Sequence, residues 1–258
     1  MLAANRHEEI LKMIKNNRYV KVSELSKIFD VSEETVRRDL DKLQSSGLLR
    51  KLHGGAAPVD APKVENVKPI IERIEQNLSE KRVIANLAYE MIENKDTIIL
   101  DSGSTTFQLA KILDKKVLTV ITNDINIAYT LSTKQNIRLI ITGGTLTQKS
   151  FAMVGPECEK YLKNLNVKKL FLATSGIKPD QGLTASNSLD AAVKRAMIEA
   201  SEKVICLADS SKFGKAALIT FALFSDIDTL ITDHITDDSY IDYLKDKGVE
   251  LITPQGKI

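Results

Sequence analysis

The segment VSEETVRRDLDKL, residues 31–43, reads as a helix that carries its own start signal. Ser32 is placed as an N-cap, its hydroxyl able to accept a bond from an orphan amide of the first turn. Val31 and Val36 flank that cap at the spacing of a hydrophobic staple. Glu33 and Glu34 put negative charge where the helix dipole favours it. Val36, Leu40 and Leu43 repeat as one buried face. That leaves Glu34, Arg38, Asp41 and Lys42 outward, with Thr35 and Arg37 on the flanks. Two readings fit this layout. One is a solvated helix laced by ion pairs such as Glu33 with Arg37 and Glu34 with Arg38. The other is a recognition helix whose N-terminal half offers Thr35, Arg37 and Arg38 to the base edges of a DNA major groove.

The neighbours favour the second reading. Residues 5–16 are amphipathic, with Ile10, Leu11 and Ile14 inward. Residues 18–22 alternate as a short strand, and Ser23 is expected to cap a second helix from Glu24 to Phe29. Gly47 ends the third helix as its C′ residue. Leu48 to Ala56 then reads as two short strands around a glycine turn, with Arg50, Lys51 and His53 placed to lie against phosphate or the minor groove. His53 beside Gly54-Gly55 reads equally well as a plain turn residue. Helix, helix, turn, helix, β-hairpin is the order of a winged helix-turn-helix. The stretch VKVSELSKIFDVSEETVRRDLDKLQSSGLLRKLHGGA, residues 20–56, resembles the DNA-binding domain of the DeoR family of bacterial transcriptional regulators. Ser32 to Leu40, with Arg37-Arg38-Asp39, matches that family's recognition-helix pattern, and Arg50, His53, Gly54 and Gly55 match the hairpin after it. The resemblance implies binding to double-stranded operator DNA through Ser32, Thr35, Arg37 and Arg38, with Arg50, Lys51 and His53 positioning the wing.

The whole chain has 258 residues, 43% hydrophobic and 27% charged, an ordinary globular composition. Net charge is +2, but residues 1–57 carry 11 basic against 8 acidic side chains and the remainder 25 against 26, a modest asymmetry that suits nucleic acid at the N-terminal end. Cys158 and Cys206 fit no metal motif and no disulfide framework, so free buried thiols in a reducing cytoplasm are expected. No signal sequence and no apolar run of membrane-spanning length is visible, so the expected location is cytoplasmic, with no membrane partner.

Residues 58–69, with Pro58, Pro62 and Pro69, read as a linker between a DNA-binding domain at 1–57 and a second domain at 70–258. A helix is expected from about 70 to 94, with a second segment starting near Ser79 and Val83, Ile84, Leu87, Ala88, Met91 and Ile92 as its buried stripe. From Thr97 onward, strand-length apolar runs at 97–100, 117–121, 138–142, 169–174, 204–208, 229–232 and 249–252 alternate with helical segments. That alternation predicts an α/β domain with a mostly parallel sheet.

In such sheets ligands bind beyond the carboxyl ends of the strands. The first strand ends in Asp101-Ser102-Gly103-Ser104-Thr105-Thr106 and then a helix, a combination of close backbone, hydroxyls and helix N-terminus that can cradle a phosphate. It lacks the lysine of a P-loop and reads equally as a capped turn. Later strand ends give Asn123, Gly143-Gly144 and Asp209-Ser210-Ser211-Lys212. Lys212 is placed to neutralise a phosphate, and Asp101 or Asp209 to bond sugar hydroxyls. Lys194 and Arg195 are expected on a solvated helix face, the alternative being that one of them faces the pocket. This half of the chain also resembles the DeoR family, in its effector-sensing domain, through EKRVIANLAYEMI (80–92), ILDSGSTT (99–106), VITN (120–123), IITGG (140–144), GLT (182–184) and ADSSKFG (208–214). The resemblance implies a fold like ribose-5-phosphate isomerase and, as effector, a phosphorylated sugar or polyol lined by Asp101, Gly103, Ser104, Thr105, Thr106, Asn123, Gly144, Asp209 and Lys212. Ser104 departs from the family's usual threonine but keeps the hydroxyl. No metal, cofactor or catalytic residue is expected. The expected function is a repressor of a carbohydrate-utilisation operon, working as a homo-oligomer, dimer or tetramer. The alternative is a sugar-phosphate isomerase with an appended DNA-binding module, with Asp101 or Asp209 as its base.

Overall fold

A Cβ on Gly55 would stand 2.1 Å from the carbonyl oxygen of Val20, so only glycine lets the wing close on the strand that precedes it. The computed structural model describes residues 3–17, 19–52, 54–57, 69–235 and 237–257. Its chain divides into two compact units, Met1–Lys63 and Val64–Ile258. The linker expected at 58–69 falls almost wholly outside the described residues, as does His53.

The first unit runs α1 (Ala3–Asn17), β1 (Val20–Lys21), α2 (Val22–Phe29), α3 (Glu33–Ser45), β2 (Arg50–Leu52) and β3 (Gly55–Ala57). β3 lies between β1 and β2, antiparallel to both, with Ala56 opposite Val20 on one side and Lys51 on the other. Ile10, Ile14, Leu25, Val36, Leu40 and Leu49 form its core. This is a winged helix-turn-helix. α3 starts as its sequence reads, Ser32 Oγ accepting from the Thr35 amide at 3.2 Å. It ends in a Schellman closure: Gly47 at φ 68° lets the Leu48 amide reach the Leu43 carbonyl at 3.0 Å and its own amide reach Gln44 at 2.9 Å. The expected cap at Ser23 is not formed. α2 begins at Val22, with Lys21 in the cap position and no side-chain bond. The Val22 amide instead donates to the Gly54 carbonyl at 2.8 Å, so the wing turn supplies the acceptor and burial of Val22 fixes where the helix starts.

The second unit opens with α4 (Ile70–Glu75) and α5 (Leu78–Glu90) in place of one long helix. The break falls at Asn77, in the left-handed region at φ 50°. Ile84, Ala88 and Ile92 are buried as expected, but Val83 is exposed and Lys81 takes a place on the buried stripe. Then follow β4 (Thr97–Leu100), α6 (Ser104–Lys111), β5 (Leu118–Thr122), α7 (Ile125–Ser132), β6 (Ile137–Ile141), β7 (Thr145–Leu146), β8 (Met153–Val154), α8 (Pro156–Leu162) and β9 (Val167–Ala173). The chain continues through β10 (Gly176–Lys178), β11 (Gly182–Ala185), α9 (Ser188–Glu199), β12 (Ser201–Leu207), β13 (Ile219–Ala222), β14 (Thr229–Ile231), α10 (Ser239–Asp246), β15 (Glu250–Thr253) and β16 (Gly256–Lys257). The main sheet has the order β16-β15-β14-β12-β9-β4-β5-β6 and is parallel throughout except for β16. All seven strands read from the sequence lie in it. The small β10-β11-β13 sheet and the β7-β8 hairpin were not among them, their segments being too short and glycine-broken to show a period. Alternate strand residues feed two cores: Ile99 joins the one under α8 and α9, and Ile98 and Leu100 join the one under α5, α6 and α7.

The amino-terminal edge of this sheet is pinned by charge. Asp96 is buried and accepts from Lys169 Nζ at 2.7 Å and Lys168 Nζ at 2.8 Å, with Lys169 itself nearly buried. Burial works to raise the Asp96 carboxyl, yet the two lysines hold it below the usual carboxylate range. Asp96→Ala leaves Lys169 buried without its carboxylate, a loss of about 3 kcal/mol or more. Urea unfolding of the whole chain at neutral pH measures it. Because the folded carboxyl is depressed, the wild-type contribution is present at neutral pH and disappears as the pH falls through the carboxylate range, so the variant's deficit should shrink in acid.

Candidate functional site

In the first unit the ion pairs read along α3 are formed. Thr35, Arg37 and Arg38 lie on its outer side, and the arginines are engaged along the helix: Arg37 Nη2 with Glu33 at 2.6 Å, and Arg38 Nε with Glu34 at 3.5 Å. Arg38 is the more exposed, at 76% of its side chain. Ser32 and Thr35 hydroxyls bond each other at 2.9 Å, so the cap also orients Thr35. Arg50 is half-buried in β2, and Lys51 Nζ pairs with Asp41 of α3 at 2.6 Å. Asp39 is different from the other acids of α3. It is buried and is gripped from α1 by Arg6 Nε at 2.5 Å and His7 Nε2 at 2.8 Å. Its carboxyl is held below the usual range against the effect of its burial, mainly by those two hydrogen bonds. This clamp sets α3 against α1 and was not read from the sequence. Its signal was Asp39 sitting beside the buried positions Val36, Leu40 and Leu43.

In the second unit the chain leaves β4 for β5 and β6 on one side, then returns to β9, β12, β14 and β15 on the other. The crevice beyond β4 and β9 is the switch point, where an open parallel sheet receives ligands. Asp101 stands there, fully buried. Its Oδ2 accepts from the Ala173 amide at 2.9 Å across the switch and from Lys194 Nζ, which also donates to the Ala173 carbonyl at 3.0 Å. Lys194 is therefore buried, against the expected solvated face, because Asp101 and a carbonyl at the strand end satisfy its ammonium. Arg195 does face outward, bonding the Thr220 carbonyl at 2.7 Å. Burial pushes the Asp101 carboxyl up, to about 6, against the pull of Lys194. The same contact holds Lys194 above the ordinary lysine range in spite of its burial. Asp101 Oδ1 is buried and makes no hydrogen bond among the described residues.

Around this pair the other expected residues separate into groups. Gly103 precedes α6, and a Cβ on it would meet the Ala173 Cβ at 2.5 Å, so the glycine is what lets β4's end lie against β9. Ser104, Thr105 and Thr106 open α6 and are nearly buried, with no side chain capping the helix; Thr106 Oγ1 donates to the Gly103 carbonyl at 2.9 Å. Asn123 is fully buried, its amide oxygen accepting from Ser102 N at 3.0 Å and its amide nitrogen donating to Met153 O at 3.1 Å. It shapes the loop from within. Gly144 packs its backbone against Val154 O, where a Cβ would stand at 2.7 Å. Asp209, at the end of β12, is buried; Asn77 Nδ2 donates to its Oδ1 at 3.0 Å, while its Oδ2 is buried with no hydrogen bond among the described residues.

Lys81 and Arg73 join this group without having been foreseen. Lys81 is buried, donating to the Arg73 carbonyl at 2.5 Å and to the Gln76 carbonyl, and feels Asp209 and Lys212 electrostatically. Burial depresses it to about 8. Arg73 is lowered by burial too, with Asp190 and Asp124 opposing. Lys81 and Lys194 share one missed signal: each sits at the i, i+3 spacing of its helix's apolar stripe (Lys81, Ile84, Ala88; Ala191, Lys194, Met197), where a solvated lysine has no place. The crevice thus combines buried carboxylate oxygens that lack donors with a set of cations and an uncapped helix N-terminus. It suits a ligand that brings hydroxyls and an anionic group together.

A winged helix-turn-helix joined to an α/β unit with such a crevice defines a DNA-binding regulator with a sensor domain. Residues 6–61 match the DeoR-like helix-turn-helix domain and residues 76–234 the DeoR C terminal sensor domain. The chain belongs to the DeoR family of transcriptional regulators. It is 40% identical over 251 residues to the uncharacterized HTH-type transcriptional regulator YulB of Bacillus subtilis, covering 97% of this chain and 96% of that protein. It is 36% identical to the transcriptional repressor AccR of Agrobacterium fabrum over 89% of each. A structure of ribose 5-phosphate isomerase A from Methanocaldococcus jannaschii aligns over 54% of this chain and 55% of that one at a TM-score of 0.40 and 14% identity, a likeness too faint to bear on function. Among the described residues no helix is long and apolar enough to cross a membrane, and no cluster of metal-ligating side chains occurs.

Gly103→Ala forces Cβ against Cβ at the switch point, where neither is the end of a flexible side chain. The expected result is a loss of about 1–3 kcal/mol in urea unfolding.

Proposed function

We propose that this regulator represses a carbohydrate-utilisation operon, and that a phosphorylated sugar or polyol bound at the switch-point crevice controls its hold on operator DNA. The observation that carries the effector reading is the pairing of two buried, donor-less carboxylate oxygens, on Asp101 and Asp209, with cations at the same strand ends. Sugar hydroxyls supply the donors those oxygens lack. Lys81 and Lys212, with the amides at the start of α6, receive the phosphate. Ser104, Thr105 and Thr106 line the same turn. Asn123, Gly103 and Gly144 hold the loops in shape. Repression is the sign suggested by AccR, which is named a repressor.

On the DNA side, Thr35, Arg37 and Arg38 read base edges, Ser32 orients Thr35, and Arg50, Lys51 and His53 set the wing on the backbone. Paired half-sites call for a symmetric homo-oligomer, a dimer or tetramer. The protein acts in the cytoplasm, where the operator is, and binds its effector without turning it over.

Thermal unfolding of the full chain against a panel of sugar phosphates and their unphosphorylated parents tests the effector reading. A rise with a phosphate and none with its parent is expected. No rise with any of them removes the reading. Ribose 5-phosphate incubated with the protein should be recovered unchanged. Arg38→Ala should weaken specific operator binding by about tenfold or more, as loss of one base-reading contact does, with the sensor's unfolding transition unmoved; unaltered operator affinity takes Arg38 out of the interface.

Binding should also depend on pH through Lys81. An anion favours its ammonium form, so affinity falls as the pH rises through about 8 and binding there takes up protons. Lys81→Arg keeps the charge at all these pH values and should flatten that alkaline limb in calorimetric titrations; an unchanged limb would point to another group.

A further inference from the structure

The chain enters the sensor unit at Pro69 and at once forms α4, the first described element after residues 58–68. This helix is six residues long, far below the length at which a helix sustains itself. Ile70 is its one fully buried side chain, and Ile71 is 65% exposed. Its placement therefore rests on polar ties. The Ile70 amide donates to Lys149 O at 2.9 Å. At the other end, Lys81 Nζ holds the carbonyls of Arg73 and Gln76, and Asp209 Oδ1 holds Asn77 Nδ2 at 3.0 Å. Burial lowers the Arg73 guanidinium, with the charges of Asp190 and Asp124 opposing. Asn77, with its left-handed backbone, joins α4 to α5 between the two holds.

Lys81 and Asp209 thus face two ways. They hold the end of α4, and they are groups assigned above to the effector. An ammonium has three donors, and two of Lys81's are used, on the Arg73 carbonyl of α4 and on the carbonyl of Gln76, the residue that caps it. A phosphate is the stronger acceptor, since its full negative charge attracts the ammonium in a way that a neutral carbonyl dipole cannot. Asp209 has one oxygen shared between Asn77 and the amide and hydroxyl of Ser211, and one with no donor among the described residues. We propose that Lys81 and Asp209 relay effector occupancy to the DNA-binding unit by giving up their hold on the carboxyl end of α4, the helix to which the linker attaches. This rests on the effector reading for what does the displacing. The hold itself is a property of the ligand-free protein. A ligand moves an equilibrium only through unequal affinity for its two states, and competition for the same ammonium supplies that inequality.

The full-length protein tests this without any effector. Hydrogen exchange is followed over residues 69–77, and affinity is measured for a DNA duplex that the wild type selects from a random pool. Lys81→Met should speed exchange in that segment and change operator affinity, each by at least about fivefold, the low end of allosteric coupling. A Lys81 that merely contacts ligand would leave the ligand-free protein like the wild type in both. Asn77→Asp keeps Lys81 and a side chain that tolerates the left-handed backbone, and removes the donor to Asp209; it should move both readouts the same way, by about twofold or more, and it decides the matter if Lys81→Met does not fold. Exchange and affinity unchanged in the folded variants, or faster exchange with operator affinity unchanged, would overturn the relay. Failure of every sugar phosphate to bind the wild type would count against the effector reading alone and leave this ligand-free comparison valid.

Discussion

The contact between Lys194 and Asp101 is the constraint on which the sensor unit depends. It spans the point where the sheet reverses its winding, the least continuous place in a parallel sheet, and ties α9 to the ends of both β4 and β9. Two charges removed from water are costly unless their remaining bonding capacity is met. Here the Ala173 amide and carbonyl meet most of it, and one carboxylate oxygen is left over. The same arrangement therefore does two things. It closes the sheet and leaves a buried carboxylate oxygen that an incoming donor can satisfy.

Sequence reading went furthest where a pattern is set locally. α3 was legible from cap to C′ glycine because Ser32, Val36, Leu40, Leu43 and Gly47 each act within a turn or two of themselves. The seven main strands were legible because fully buried parallel strands are written as apolar runs. Reading stopped where a residue's environment is set by a distant partner. Ser23 looks like a cap, but the acceptor that starts α2 comes from Gly54, some thirty residues on in the wing. Lys194 looks solvated until Asp101 is placed beside it, and the two are 93 positions apart. The break at Asn77 is held by Asp209, 132 positions away.

The candidate crevice was half legible for the same reason. Loop residues at strand ends declare themselves, since glycine, serine and aspartate after an apolar run have few other uses. Helix residues that reach the same crevice, Lys81 and Arg73 among them, are hidden in amphipathic patterns. Asn123 and Gly144 show that such loop residues also serve the fold. Both occupy strand ends, yet Asn123 uses its amide on the backbones of Ser102 and Met153, and Gly144 is required by packing against Val154. Position at a strand end marks a residue as near the crevice, and only its hydrogen bonds say whether it has anything left to offer.

The ion pairs along α3 bear on how such a protein searches a chromosome. Residues 33–45 carry four acidic and three basic side chains, so the helix brings its own counter-charges to the groove. Attraction to arbitrary DNA grows with the number of uncompensated cations laid against phosphate. Arg37 and Arg38 already have carboxylates beside them, and any DNA that draws them away must offer better partners than Glu33 and Glu34. A phosphate and a guanine edge can each take a guanidinium bidentately, and either must first compete with a carboxylate. The glutamates thus leave α3 with no net positive charge of its own to hold it on arbitrary DNA.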